Sequence, residues 1–101
     1  MIESLERMLA KGVDNPLLRF GLGKGYLDAG DTERAIEHLR QSVVQDPGYS
    51  AAWKLLGKAY KIMGNFPEAR KAWEHGMEAA DVKGDKQAQK EMSVFLRKLK
   101  I

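Results

Sequence analysis

The sequence predicts an all-α protein built of antiparallel helical hairpins, about five helices in all, and three observations lead there. Apolar residues recur at helical spacing: Trp53, Leu56, Tyr60 and Met63 fall at i, i+3, i+7 and i+10, and Ala69, Trp73, Gly76, Met77 and Ala80 form a second stripe. Between these stripes Gly64-Asn65-Phe66-Pro67 breaks the period with a terminating Gly, a capping Asn and a Pro suited only to a first helical turn. Finally, Leu22, Gly23, Lys24, Tyr26, Gly30 and Ala35 return 34 residues later as Leu56, Gly57, Lys58, Tyr60, Gly64 and Ala69, which is an internal repeat.

Ile2, Leu5, Met8 and Leu9 make a leading helix that ends at Gly12 and Pro16; it is too short to persist alone and must dock on its neighbour. Asn15 is placed to cap the next helix, where Leu18, Leu22, Tyr26 and Ala29 share a face. Gly21, Gly23 and Gly25 lie inside it, each costing about 1 kcal/mol relative to Ala. Close approach of a neighbouring helix is the reason expected for them. Gly30-Asp31 repeats the turn chemistry of Gly64-Asn65, and Ala35, Ile36, Leu39 and Val43 carry a stripe that Asp46-Pro47-Gly48 stops. The last helix begins after Gly84 with Asp85 as its cap, and Ala88, Met92, Phe95, Leu96 and Leu99 form its apolar face. The whole chain, 1–101, reads as one domain: a capping helix at 1–12, repeat units at 16–49 and 50–83, and a closing cap at 84–101.

Composition narrows the function. Cysteine is absent, which removes disulfides, thiolate catalysis and Cys-ligated metal sites. The N-terminus lacks the basic and apolar regions of a signal peptide, and no run approaches the roughly 18 apolar residues of a membrane span; a cytoplasmic protein without a membrane partner is expected. The net charge is +3. All of that excess lies between Asp81 and Ile101, where Lys83, Lys86, Lys90, Arg97, Lys98 and Lys100 outnumber Asp81, Asp85 and Glu91. So small a total argues against a nucleic-acid partner.

The pattern resembles the tetratricopeptide repeat, whose 34-residue unit carries a bulky residue, Leu-Gly and Tyr in its first helix, and Ala, a bulky residue, Ala and a closing Pro in its second. Trp53, Leu56, Gly57, Tyr60, Ala69 and Trp73 match in the second unit, with Gly76 where the second Ala is usual and Asp81 in place of Pro. Leu22, Gly23, Tyr26, Ala35 and Pro47 match in the first, where Arg19 replaces the bulky residue and Ser42 the second Ala. The resemblance implies a short right-handed superhelix that needs capped ends, and a role in binding protein partners along the concave face lined by the first helices. The two-carboxylate clamp that some members use for chaperone tails is not reproduced: its positions fall on Phe20, Lys24, Leu55, Asp85 and Gln89, of which only Lys24 is basic and none is Asn.

Candidate site residues are few. His38 and His75 both lie on second helices, 37 residues apart and so not repeat-equivalent, and each is read as an exposed or partly buried helix histidine. Glu33, Glu37, Glu68, Glu74 and Glu78 alternate with basic residues as a solvated face does. Gly21-Leu22-Gly23-Lys24-Gly25 lacks the strand and the spacing of a phosphate loop. Met8, Met63, Met77 and Met92 are read as core fillers. No catalytic residue, metal site or cofactor is expected. One constellation remains: Lys54, Lys58 and Lys61 at i, i+4 and i+7, on a helix without Asp or Glu. Lys24, the repeat equivalent of Lys58, is expected beside them, with Phe20 and Leu17, and Met92 or Phe95, supplying apolar contacts. The expected function is a non-catalytic module binding an acidic peptide or partner segment in that groove. Two rivals are self-association as an accessory subunit through a patch of Phe20, Phe95 and Ile101, and RNA or anionic-surface binding through Lys86, Lys90 and Arg97.

Overall fold

The computed structural model describes residues 1–99, and within them the chain forms six helices: α1 (Ile2–Ala10), α2 (Pro16–Asp28), α3 (Thr32–Gln45), α4 (Ser50–Ile62), α5 (Phe66–Lys83) and α6 (Lys86–Lys98). That is one more than the five expected: the predicted elements, two hairpins with a capping helix at each end, make six, and each is present. Helix starts use the predicted caps. Asn15, Asp31, Asn65 and Asp85 each accept a hydrogen bond from the backbone N–H three residues on. The ends of α2 and α4 share one device: Gly30 and Gly64 take positive φ, 85° and 79°, which lets the next residue donate its N–H back to the carbonyls of Tyr26 and Tyr60.

Packing is sequential. α2 pairs with α3 and α4 with α5, α3 also packs on α4, and α6 closes the stack against α5. The three glycines of α2 are explained by three neighbours. A Cβ on Gly23 would lie 2.5 Å from Leu39 Cγ, one on Gly21 would lie 3.1 Å from Leu5 Cδ1, and one on Gly25 would lie 2.8 Å from Ile2 Cγ1. α1 therefore docks on the glycine face of α2, as its shortness requires.

The departures from the repeat pattern have physical causes. Ser42 is fully buried, and its hydroxyl donates to the carbonyl of Pro16 at 2.9 Å, so the polar atom is satisfied. Gly76 replaces Ala because a Cβ there would sit 2.5 Å from Met92 Sδ and 2.8 Å from Trp53 Cβ. With Asp81 in place of Pro, α5 runs to Lys83, whereas α3 ends before Pro47. The methionine expectation is corrected in part: Met92 is fully buried, but Met8 and Met63 are exposed, Met63 because it stands at the C-cap of α4 beyond the packed stripe.

Candidate functional site

α4 touches both α2 and α6, whereas the backbones of α1, α3 and α5 stay apart among the described residues. The side on which alternate helices meet is the inner side of the stack, and the predicted lysine row lies on its middle helix.

The three lysines of α4 meet different fates. Lys54 Nζ lies 2.7 Å from Glu91 Oε1 of α6, with both side chains about one-third exposed. That bond, then a second from Gln87, holds the Glu91 carboxyl below its usual range. Lys58 places its ammonium 5.8 Å from the centre of the Phe95 ring. Lys61 joins Lys58, Ile62, Trp73 and Phe95 around a cleft of about 350 Å³ between α4 and α6. Among the described residues neither Lys58 nor Lys61 has a carboxylate within 4.0 Å.

The other predicted residues do not gather there. Lys24 pairs with Asp28 at 3.3 Å and lines a separate cleft with Ile2, Leu5, Gly21 and Gly25. Phe20 is half-buried, its ring 5.1 Å from that of Tyr49. Leu17, 70% exposed, lines a third cleft with Asn15, Pro16, Tyr49 and Lys83. Phe95 is likewise half-buried against Trp73. Ile101, the third member of the expected self-association patch, lies outside the described residues.

Sequence reasoning missed Glu91. Continuing the 34-residue register puts it at the position of Gly57, and puts Ala88 and Met92 where Lys54 and Lys58 stand. Ala88 and Met92 are instead buried, Met92 in the hollow left by Gly76. α6 is thus turned about its axis, and the turn brings Glu91 and Phe95 to the lysines. An acidic residue at a glycine position, in a helix that had lost the repeat pattern, was the available signal.

A second polar cluster ties α1 to the first hairpin. Arg19 donates to both oxygens of Asp14, at 2.8 and 2.9 Å, and to His38 Nδ1 at 3.1 Å. Arg19 has only donors to offer, so His38 Nδ1 accepts and its proton sits on Nε2, facing Glu6 Oε2 at 3.9 Å. His38 is 6% exposed, more buried than its sequence suggested, and stacks on Tyr26, whose hydroxyl donates to Glu6. Burial first, and then the Arg19 charge, push its pKa down. Asp14 is held well below the usual carboxylate range by Arg19 and Gln45. Every member of this cluster is engaged within the fold. No group of three or more His, Asp or Glu side chains among the described residues is placed to hold a metal ion, and no helix is long and apolar enough to cross a membrane.

A family model described as tetratricopeptide repeat matches residues 26–89. The chain belongs to the tetratricopeptide-repeat family. It is 71% identical over 99 residues to TPR repeat-containing protein PA0015 of Pseudomonas aeruginosa, a match covering 98% of this chain and 94% of that one. The solution structure of protein BPP2914 from Bordetella parapertussis superposes with a TM-score of 0.84 at 50% identity, covering 98% of this chain and 86% of that one. A more distant relative, 32% identical over 85 residues, is the heat-shock protein cognate co-chaperone sgt12 of Aspergillus fumigatus; the match takes in 84% of this chain and 25% of that protein. In the family's terms α2–α3 and α4–α5 are the two repeats, and α2, α4 and α6 line the concave face. A tetratricopeptide-repeat chain is a protein–protein interaction module.

Proposed function

We propose that this chain is a non-catalytic, cytoplasmic module whose concave face takes an acidic segment of a partner protein, with Lys54, Lys58 and Lys61 at its centre and Lys24, Phe20 and Leu17 flanking. The observation that carries the reading is the pair Lys58 and Lys61: two ammonium groups with no carboxylate within 4.0 Å among the described residues, at the mouth of an apolar cleft. Acidic neighbours at i±4 stabilise exposed lysines on a helix, and here the acidic residue that approaches, Glu91, makes its direct ion pair with Lys54 and acts on Lys58 only at longer range. Two repeats offer little area, so affinity on the order of micromolar or weaker is expected.

Titration with acidic C-terminal peptides, followed by amide shifts, tests the reading. Shifts are expected on α4 and α6, and the charge reversal Lys58→Glu with Lys61→Glu abolishes them. Glu91→Gln, which releases Lys54, strengthens binding several-fold and steepens its dependence on salt. Shifts confined to the outer faces of α3 and α5 would overturn the proposal.

A further inference from the structure

We infer that the cleft between α4 and α6 is the anchor of that face and takes one bulky apolar side chain, Phe or Leu, from a partner segment whose flanking carboxylates rest on Lys58 and Lys61. The inference rests on the acidic-segment reading and adds the side chain that the segment must carry.

The floor of the cleft is carbon. Phe95 and Trp73 lie side by side, ring centroids 5.2 Å apart, and Ile62, 64% exposed, forms one wall. The indole N–H of Trp73 already donates to the Lys54 carbonyl at 3.0 Å, so this ring offers the cleft no polar atom. At about 350 Å³ the space is near the bottom of the roughly 300–1,000 Å³ range of ligand pockets. It suits a single side chain better than a cofactor. A ring or branched alkyl group entering there would cover the Ile62 side chain, which is otherwise left in water.

The rim supplies the charge. Lys58 and Lys61 are three residues apart on one helix, which sets their Cβ atoms about 5–6 Å apart. That spacing matches carboxylates on either side of an anchoring residue. Attraction to the Phe95 ring favours the position of the Lys58 ammonium over the cleft, so less side-chain freedom is lost on binding. Lys54 is not part of this anchor, because Glu91 occupies it. The same carboxylate interrupts the cationic row, and a nucleic-acid backbone, which needs successive cations, would meet a negative charge one turn away.

The test uses the full chain and fluorescein-labelled peptides of sequence Asp-Glu-Phe-Glu-Asp, Asp-Glu-Ala-Glu-Asp and Asn-Gln-Phe-Gln-Asn, read by anisotropy. The acidic Phe peptide is expected to bind at least tenfold more tightly than either of the others. Lys58→Gln with Lys61→Gln, or Ile62→Asn alone, removes that advantage while thermal unfolding stays unchanged, since all three side chains are exposed. Equal binding of the Phe and Ala acidic peptides overturns the anchor and leaves the acidic-groove reading standing. Binding by neither defeats both. Tighter binding of a labelled oligothymidylate of matched charge would replace both with a nucleic-acid site.

Discussion

Trp53 and Arg19 occupy the same position in the two repeats, and their chemistry could hardly differ more. The Trp53 indole N–H donates to the carbonyl of Pro47 at 2.7 Å and its ring stacks on His75 at 4.8 Å. Arg19 donates to Asp14 and to His38. In each case the partner behind the helix belongs to the preceding loop, six residues back for Trp53 and five for Arg19. What this position requires is a donated N–H that ties the incoming loop to the hairpin, and an aromatic ring is one of two ways to provide it. The second helices differ in the same sense: Leu39 fills the hollow over Gly23, and Trp73 fills the one over Gly57. The first repeat is closed by α1 and a polar network, while the second is closed by aromatic stacking that also floors the proposed anchor.

The largest contrast is expected from truncating the two fillers. Trp73 and Leu39 are 1% and 0% exposed, so both changes leave cavities. Leu39→Ala should cost about 3 kcal/mol and Trp73→Ala about 4 kcal/mol. Trp73 also supports Phe95 and through it α6, so its loss should lower amide protection in α6, which Leu39→Ala leaves intact. Urea unfolding and hydrogen exchange measure both. Equal costs with α6 protection unchanged in both would mean that the repeats are equivalent and that α6 does not depend on the second.

A finer contrast lies beneath them. A Cβ on Gly57 would fall 2.5 Å from ring atoms of Trp73, a rigid group whose N–H is already committed. On Gly23 the obstacle is Leu39, whose Cγ would lie 2.5 Å away; it is buried, but as an aliphatic side chain with no committed polar atom it can yield more readily than an indole. Overpacking costs about 1–3 kcal/mol, and Ala regains about 1 kcal/mol in helix propensity. Gly57→Ala should therefore destabilise by about 2 kcal/mol and Gly23→Ala by about 1 kcal/mol or less. A reversed order in urea midpoints would break the argument from side-chain rigidity.

These contrasts also mark how far the sequence could be read. Hairpins and caps rest on spacings of a few residues and the register on a constant 34-residue offset, and Asn15, Gly30, Gly64 and Asp85 act as their types suggest. The row Lys54, Lys58 and Lys61 was legible for the same reason. Its division was not, because Glu91 reaches Lys54 only after α6 turns to seat Met92 over Gly76, a choice made by packing between helices. The departure at Arg19 was visible, but its cause lay in Asp14, outside the repeat unit, and in His38, which sat one hairpin helix away. Lys24, Phe20 and Leu17 share a helix face in the sequence, yet each borders a different neighbour.

The most delicate contrast is in acid. The position of His38 in the first repeat is held by buried Ala72 in the second, so only one hairpin carries a titrating group there. Around His38 stand Arg19, Glu6, Tyr26, Glu37 and Asp14; burial and Arg19 depress its pKa, and the three carboxylates oppose them. A histidine whose folded pKa is lowered takes up a proton more readily when unfolded, where its pKa is about 6.5. Its contribution to stability is thus complete above pH 6.5 and lost as pH falls through and below that value. Stability of the wild type should decline between pH 7.5 and pH 5 with a slope no steeper than about 1.4 kcal/mol per pH unit. His38→Gln keeps an acceptor for Arg19 and should flatten the slope. Urea unfolding at the two pH values decides it, and the same decline in both chains would place the acid sensitivity outside the first repeat.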